Sequence, residues 1–164
     1  MTSFEQLKAQ LQGDSCALST PCYIYSVSDV QRNYEDLKAA LGTQLIYSFK
    51  ANSNLDLIVR CGHIFTDGIE LASQGELNLL ATGEAPRYIN NPSADKNFFR
   101  AAIASKARII IDHPDQVEIL AEFVGKRPIQ PLVLRLNHCL LKEFDTRLNF
   151  RDNHFGMDWE GVQA

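Results

Sequence analysis

The sequence has no long apolar run, no cysteine pair and no block of like charge. Its apolar stretches are a few residues each, which excludes a transmembrane helix; no membrane partner is expected. Met1 to Gln12 carries Glu5 and Lys8 among its apolar residues and has no core of signal-peptide type, so a cytoplasmic location is expected. The four cysteines, Cys16, Cys22, Cys61 and Cys139, form no C-x-x-C pair and no His/Cys cluster at zinc-ligand spacing. They read as free thiols in a reducing compartment, and no metal is expected. With 16 basic against 20 acidic side chains the formal net charge is -4, and the basic stripe of a nucleic-acid surface is absent. Neither G-x-G-x-x-G after the first strand nor G-x-x-x-x-G-K-[ST] occurs, which weakens dinucleotide- and nucleotide-binding readings.

What is present is a globular composition, 45% apolar and 22% charged over 164 residues, a size suited to one domain. Ser28 precedes Gln31 at capping-box spacing, and Val30, Tyr34, Leu37 and Leu41 continue a helical stripe that ends at Gly42. Gln44–Ser48 is rich in β-formers. A helix follows from about Asn54 to Cys61, with Gly62 as its stop. Ile64–Leu71 reads as extended chain. Ser73 and Glu76 form a second capping box opening a helix over Gln74–Thr82. Arg87–Asn90 is strand-like, Ser93 caps a helix through Phe99, Ala102 and Ile103, and Arg108–Ile111 is a buried strand. Asp112 and Pro114 open a helix closed by Gly125, and Pro131–Leu136 is again strand-like. Strand centres near positions 46, 67, 89, 110 and 133 repeat a strand-plus-helix unit five times, which argues for parallel pairing. The rhythm fits a doubly wound sheet or part of a (β/α)8 barrel, whose full length is about 250 residues.

The sharpest local feature is Tyr47-Ser48-Phe49-Lys50-Ala51-Asn52. The strand Leu45–Phe49 runs out at Lys50, and the C-terminal ends of parallel strands are where α/β active sites are built. Desolvation among apolar and small neighbours would lower the ammonium pKa and expose a nucleophilic amine suited to imine chemistry with an aldehyde. Position alone favours a solvated loop lysine.

This block resembles the Tyr-x-x-Lys-Ala-Asn signature of the alanine-racemase-like, fold-type III enzymes that use pyridoxal 5'-phosphate, and within them the ornithine/diaminopimelate/arginine decarboxylase family. Thr20-Pro21-Cys22-Tyr23-Ile24-Tyr25 resembles the family's opening segment, and Gly68 to Leu77 (GIELASQGEL) its Asp/Glu-x-x-Ser-x-Gly-Glu block. Asn91-Pro92-Ser93-Ala94-Asp95-Lys96 resembles a family turn, Leu134-Arg135-Leu136-Asn137 its Leu-Arg-Ile-Asn strand, and His154-Phe155-Gly156-Met157 its Lys-Phe-Gly-Met element. The resemblance runs from about Thr20 to Ala164. It implies a fold made of about five βα units of an incomplete TIM-type barrel (20–164), preceded by a lead-in helix (1–19), with the C-terminal β-domain absent.

By the resemblance, Lys50 forms the Schiff base with pyridoxal 5'-phosphate, Arg135 approaches the phenolic oxygen of the cofactor ring, and Glu70 lies near cofactor and lysine. A surface ion pair for Arg135 and a helix-entry charge for Glu70 are the plainer alternatives. Asn52 is expected to orient the loop around Lys50, while Ser73 and Glu76 are structural. The implied activity is decarboxylation of a basic or diamino acid by a homodimer with shared active sites. The alternatives are an amino-acid racemase of the same fold or a non-catalytic relative. His154 stands where the family has lysine, which bears on the dimer contact, and His138 reads as a loop residue. The phosphate-binding Gly-rich loops, the ring-stacking histidine and the group facing the pyridine nitrogen are expected beyond residue 164. A chain of this length is accordingly expected to be the N-terminal part of a longer enzyme, with an open sheet edge and little activity of its own.

Overall fold

The computed structural model describes residues 8, 9, 11, 23–80, 83–93, 95–126, 128–137 and 155–163. The expected lead-in helix over 1–19 falls almost wholly outside them, as do Cys16, Cys22, Cys139, His138 and His154. The chain divides into two compact units, Met1–Thr43 and Gln44–Ala164. No helix among the described residues is long and apolar enough to cross a membrane.

The first unit holds helix α1 (Val27–Leu41). Its N-cap is Ser26 rather than Ser28: the Ser26 hydroxyl accepts from the Asp29 amide, and Ser28 already lies in the first turn. Gly42 ends it in the left-handed conformation, as expected.

The second unit is a five-stranded parallel sheet made of β1 (Tyr47–Ser48), β2 (Ile69–Leu71), β3 (Arg87–Ile89), β4 (Arg108–Ile111) and β5 (Val133–Leu134), in the spatial order of the chain. This order decides between the two folds the rhythm allowed. A doubly wound sheet reverses direction at a switch point, whereas here every strand lies beside its sequence neighbour, as in a barrel. Helices α2 (Leu55–Cys61), α3 (Gln74–Leu79), α4 (Lys96–Ala104) and α5 (Pro114–Ala121) link successive strands, and α6 (Trp159–Gln163) follows later. Parallel pairing forces these crossovers, because a tight turn cannot return the chain in the same direction.

Alternation along the strands separates two faces. Ile69, Leu71, Ile89, Ile109 and Ile111 are buried and form the core with Ile58 and Cys61 of α2, Phe99 of α4 and Leu120 of α5. Burial holds the Cys61 thiol above its ordinary pKa, because the thiolate would have to leave water. Ser48, Glu70 and Ile110 lie on the opposite face. Strand β5 is exposed on both sides, Val133 at 36% and Leu134 at 47%, and a parallel bridge from Leu136 to Met157 continues beyond it. Among the described strands β1 and β5 each pair with one neighbour, which leaves the open edge expected from the sequence.

Several boundaries shift for physical reasons. The extended segment expected from Ile64 contracts to Ile69–Leu71, because residues 61–68 make tight turns closed by Ile64 N to Cys61 O and Gly68 N to Phe65 O. Gly62 stays right-handed. Gly68, at φ +127°, makes the turn instead, and its missing Cβ leaves room for the Tyr88 ring and the Pro86 carbonyl. Helix α4 is capped by Asp95, not Ser93, since the Asn91 side chain draws the Ser93 amide into a turn of its own. Helix α5 is capped by His113, not Asp112.

Two outcomes follow for stability. Gly68→Ala places a Cβ 2.5 Å from the Tyr88 ring and 2.7 Å from the Pro86 carbonyl; a loss of at least about 2 kcal/mol is expected in a urea titration. A thiol whose folded pKa is raised binds its proton more tightly when folded. Its contribution is therefore complete below the unfolded thiol pKa and is lost as pH rises through the folded value. Cys61→Ala should flatten the alkaline fall in stability, measured as midpoint against pH.

Candidate active site at the C-terminal edge of the sheet

Because all five strands run one way, their C-terminal ends share one edge. Lys50, Glu70 and Arg135 lie along it. Strand β1 stops at Ser48, and residues 49–51 form one 3-10 turn. In that turn Phe49 enters the core, 1% exposed, and Lys50 points out with 65% of its side chain accessible. The desolvation expected from its apolar flanks is therefore not supplied, because the turn sends Phe49 the other way. The Tyr47 hydroxyl donates to the Asn52 carbonyl, while the Asn52 side chain accepts from the Asn54 amide. Asn52 thus shapes this loop through both backbone and side chain.

Glu70 is the middle residue of β2, between the buried Ile69 and Leu71, and so faces the other side of the sheet. The register that sets Ser48 opposite Glu70 brings its carboxylate 3.9 Å from the Lys50 ammonium and 3.5 Å from the Ser48 hydroxyl. It is a strand residue beside Lys50, not a helix-entry charge. So open a pair contributes little to stability, but it does locate the amine. Ser73 caps α3 through the Glu76 amide, and Glu76 accepts from the Ala72 amide, one residue before the cap.

At the far end of the edge Arg135 follows β5. It is not a surface ion pair: its guanidinium lies 3.0 Å from the Asp112 carboxylate, which is only 6% exposed, and 4.5 Å from the Phe155 ring centre. Lys50 and Glu70 are brought together; Arg135 is held separately, at the opposite end of the same strand edge. Sequence reasoning missed Asp112, whose position before Pro114 read as a helix cap. It also missed Gln116, which is fully buried and takes the Asp112 and His113 amides on its carbonyl oxygen while donating to the Asn91 carbonyl. One side chain thereby fixes the loops after β3 and β4. A buried glutamine inside an otherwise ordinary helix stripe carried no signal in the sequence.

A reachable strand-end amine beside a carboxylate, on sequentially ordered parallel strands, lies at the edge where (β/α) barrels commonly build their sites, which makes it a candidate site. No family model matches the chain. Diaminopimelate decarboxylase of Neisseria meningitidis serogroup B is 30% identical to it over 131 residues, covering 74% of this chain and 31% of that protein. The crystal structure of diaminopimelate decarboxylase from M. jannaschi superposes at a TM-score of 0.64 with 19% identity, covering 99% of this chain and 40% of that one. The chain is thus similar in sequence to a portion of one diaminopimelate decarboxylase and shares the fold of part of another. It spans about a third of the length of the curated relative it matches.

Replacing Gln116 by Ala leaves the Asp112 amide and the Asn91 carbonyl without partners. A loss of about 2–4 kcal/mol is expected, read as a lower denaturation midpoint.

Proposed function

We propose that the chain carries the cofactor-lysine part of a pyridoxal-phosphate-dependent amino-acid decarboxylase, acting on a diamino acid of the diaminopimelate class. The observation that carries this reading is Lys50, presented at the end of β1 beside Glu70 in a chain 30% identical to a diaminopimelate decarboxylase. The residues fit the cofactor. A primary amine is open to an aldehyde, and a guanidinium one-third exposed has Asp112 as its hydrogen-bond acceptor among the described residues, leaving further N–H groups for an anion.

When bound, pyridoxal phosphate supplies the electron sink for the carbanion left as the α-carboxylate departs. Lys50 would attach the cofactor and afterwards return a proton from its Nζ. Glu70 would hold that nitrogen in place. Arg135 would pair with an anionic oxygen of the cofactor through its planar fork. Phosphate-binding groups, the substrate-side residues and the second subunit of a homodimer with shared sites belong, in this reading, to parts of the enzyme outside this chain. A cytoplasmic setting accords with it.

Reductive trapping with borohydride in the presence of pyridoxal phosphate, followed by peptide mapping, should mark Lys50 and leave Lys50→Ala unmarked. An adduct spread evenly over surface lysines would sink the assignment. In the full-length enzyme, Lys50→Ala should cut carbon dioxide release from diaminopimelate by at least about 10²–10⁴-fold.

A further inference from the structure

Among the described residues, Asp112 and Gln116 are the polar side chains that the fold buries, and Asp112 alone of the two carries charge. A carboxylate taken out of water is destabilising unless ion pairing and hydrogen bonds compensate it. Here Oδ1 of Asp112 accepts from the Arg135 guanidinium at 3.0 Å and from the Gly156 amide at 3.1 Å. The second bond depends on glycine: residue 156 has φ +85°, and a Cβ there would sit 2.8 Å from the Leu136 carbonyl carbon and 2.9 Å from the Asn137 nitrogen. One oxygen atom therefore ties β4 to the chain after β5 and to the Phe155–Met157 segment, which itself bonds to Arg135 O and Asn137 N.

The pair is asymmetric. The carboxylate side chain is 6% exposed and the guanidinium 33%. Burying the second ion as well would add its own desolvation cost. This pair buries the anion, lays the cation on the Phe155 ring and leaves part of the fork facing outward at the strand edge.

We infer that Asp112 is a positioning residue that, with Gly156, aims the Arg135 guanidinium at an anionic oxygen of the bound ligand. The inference rests on the cofactor reading above for the identity of that ligand, but not for the geometry. A buried, doubly bonded carboxylate holds the fork in one orientation before any ligand arrives, so less rotamer freedom is lost on binding. Asp112 itself touches no ligand; its effect passes through Arg135.

Two measurements test this. The first needs no cofactor: the Arg135 side-chain Nε–H resonance should be ordered and slow to exchange in the unmodified protein, and averaged toward solvent in Asp112→Asn, an isostere that still accepts from Gly156. An unchanged Arg135 signal in Asp112→Asn overturns the proposal. The second, in the full-length enzyme, is a cycle of Asp112→Asn, Arg135→Ala and the double variant, read as the pyridoxal phosphate dissociation constant by equilibrium dialysis. Asp112→Asn should weaken binding about tenfold when Arg135 is present and not at all when it is absent. Equal weakening in both backgrounds would show a general structural role and refute the inference. Arg135→Lys keeps a cation beside the buried carboxylate and removes only the fork; it should fold and also lose about tenfold, and full-strength binding by this variant counts against fork aiming. Release of Arg135 by Asp112→Asn, with no cofactor bound by any form, would uphold the positioning role and overturn the cofactor reading instead.

Discussion

Parallel pairing of each strand with its sequence neighbour is the constraint on which the second unit depends. It obliges the chain to cross back through a helix after every strand, stacks those helices over the Ile-rich face, and sets all five C-terminal strand ends on one edge. Lys50, Glu70, Asp112 and Arg135 are separated by up to 85 positions, yet Lys50, Asp112 and Arg135 lie just beyond the C-terminal ends of their strands and Glu70 lies one residue before the end of β2. No single contact brings them to this edge; the direction of pairing does.

Within that frame the edge is organised by two kinds of interaction. At the β1 end the pairing of Lys50 with Glu70 is open to solvent and long, so it locates the amine without immobilising it. At the β5 end the Asp112 carboxylate is buried and accepts two short hydrogen bonds from separate segments. Between them Gln116 fixes the loops after β3 and β4 with both ends of its amide. The two ends of the edge therefore differ: the amine after β1 is exposed and loosely paired, and the guanidinium after β5 is held by a buried carboxylate.

Much of this was legible in the residues. The helix and strand rhythm followed from apolar spacing and from Gly and Ser/Asp punctuation, and the positions of β1 to β5 agree with it. The Lys-Ala-Asn block and the Glu70 block were readable as motifs because their residues are adjacent in the chain. Capping was the weakest part. Ser26, Asp95 and His113 cap where Ser28, Ser93 and Asp112 were expected, because serine, aspartate and histidine near a helix start are nearly equivalent in sequence and only backbone direction selects among them. The expected desolvation of Lys50 failed for a related reason: the turn over residues 49–51 decides which neighbour enters the core.

The sequence by itself determined the strand-helix repeat, the family resemblance and the lysine at the end of the first strand, since all three are local patterns of neighbouring residues. Tertiary structure bore out the barrel that the resemblance implied, by the order of its strands, and alone decided the union of Asp112, Arg135 and Gly156 on one carboxylate oxygen. Those depend on which segments lie side by side, and an aspartate before a proline has the same local character whether it caps a helix or anchors an arginine 23 positions away.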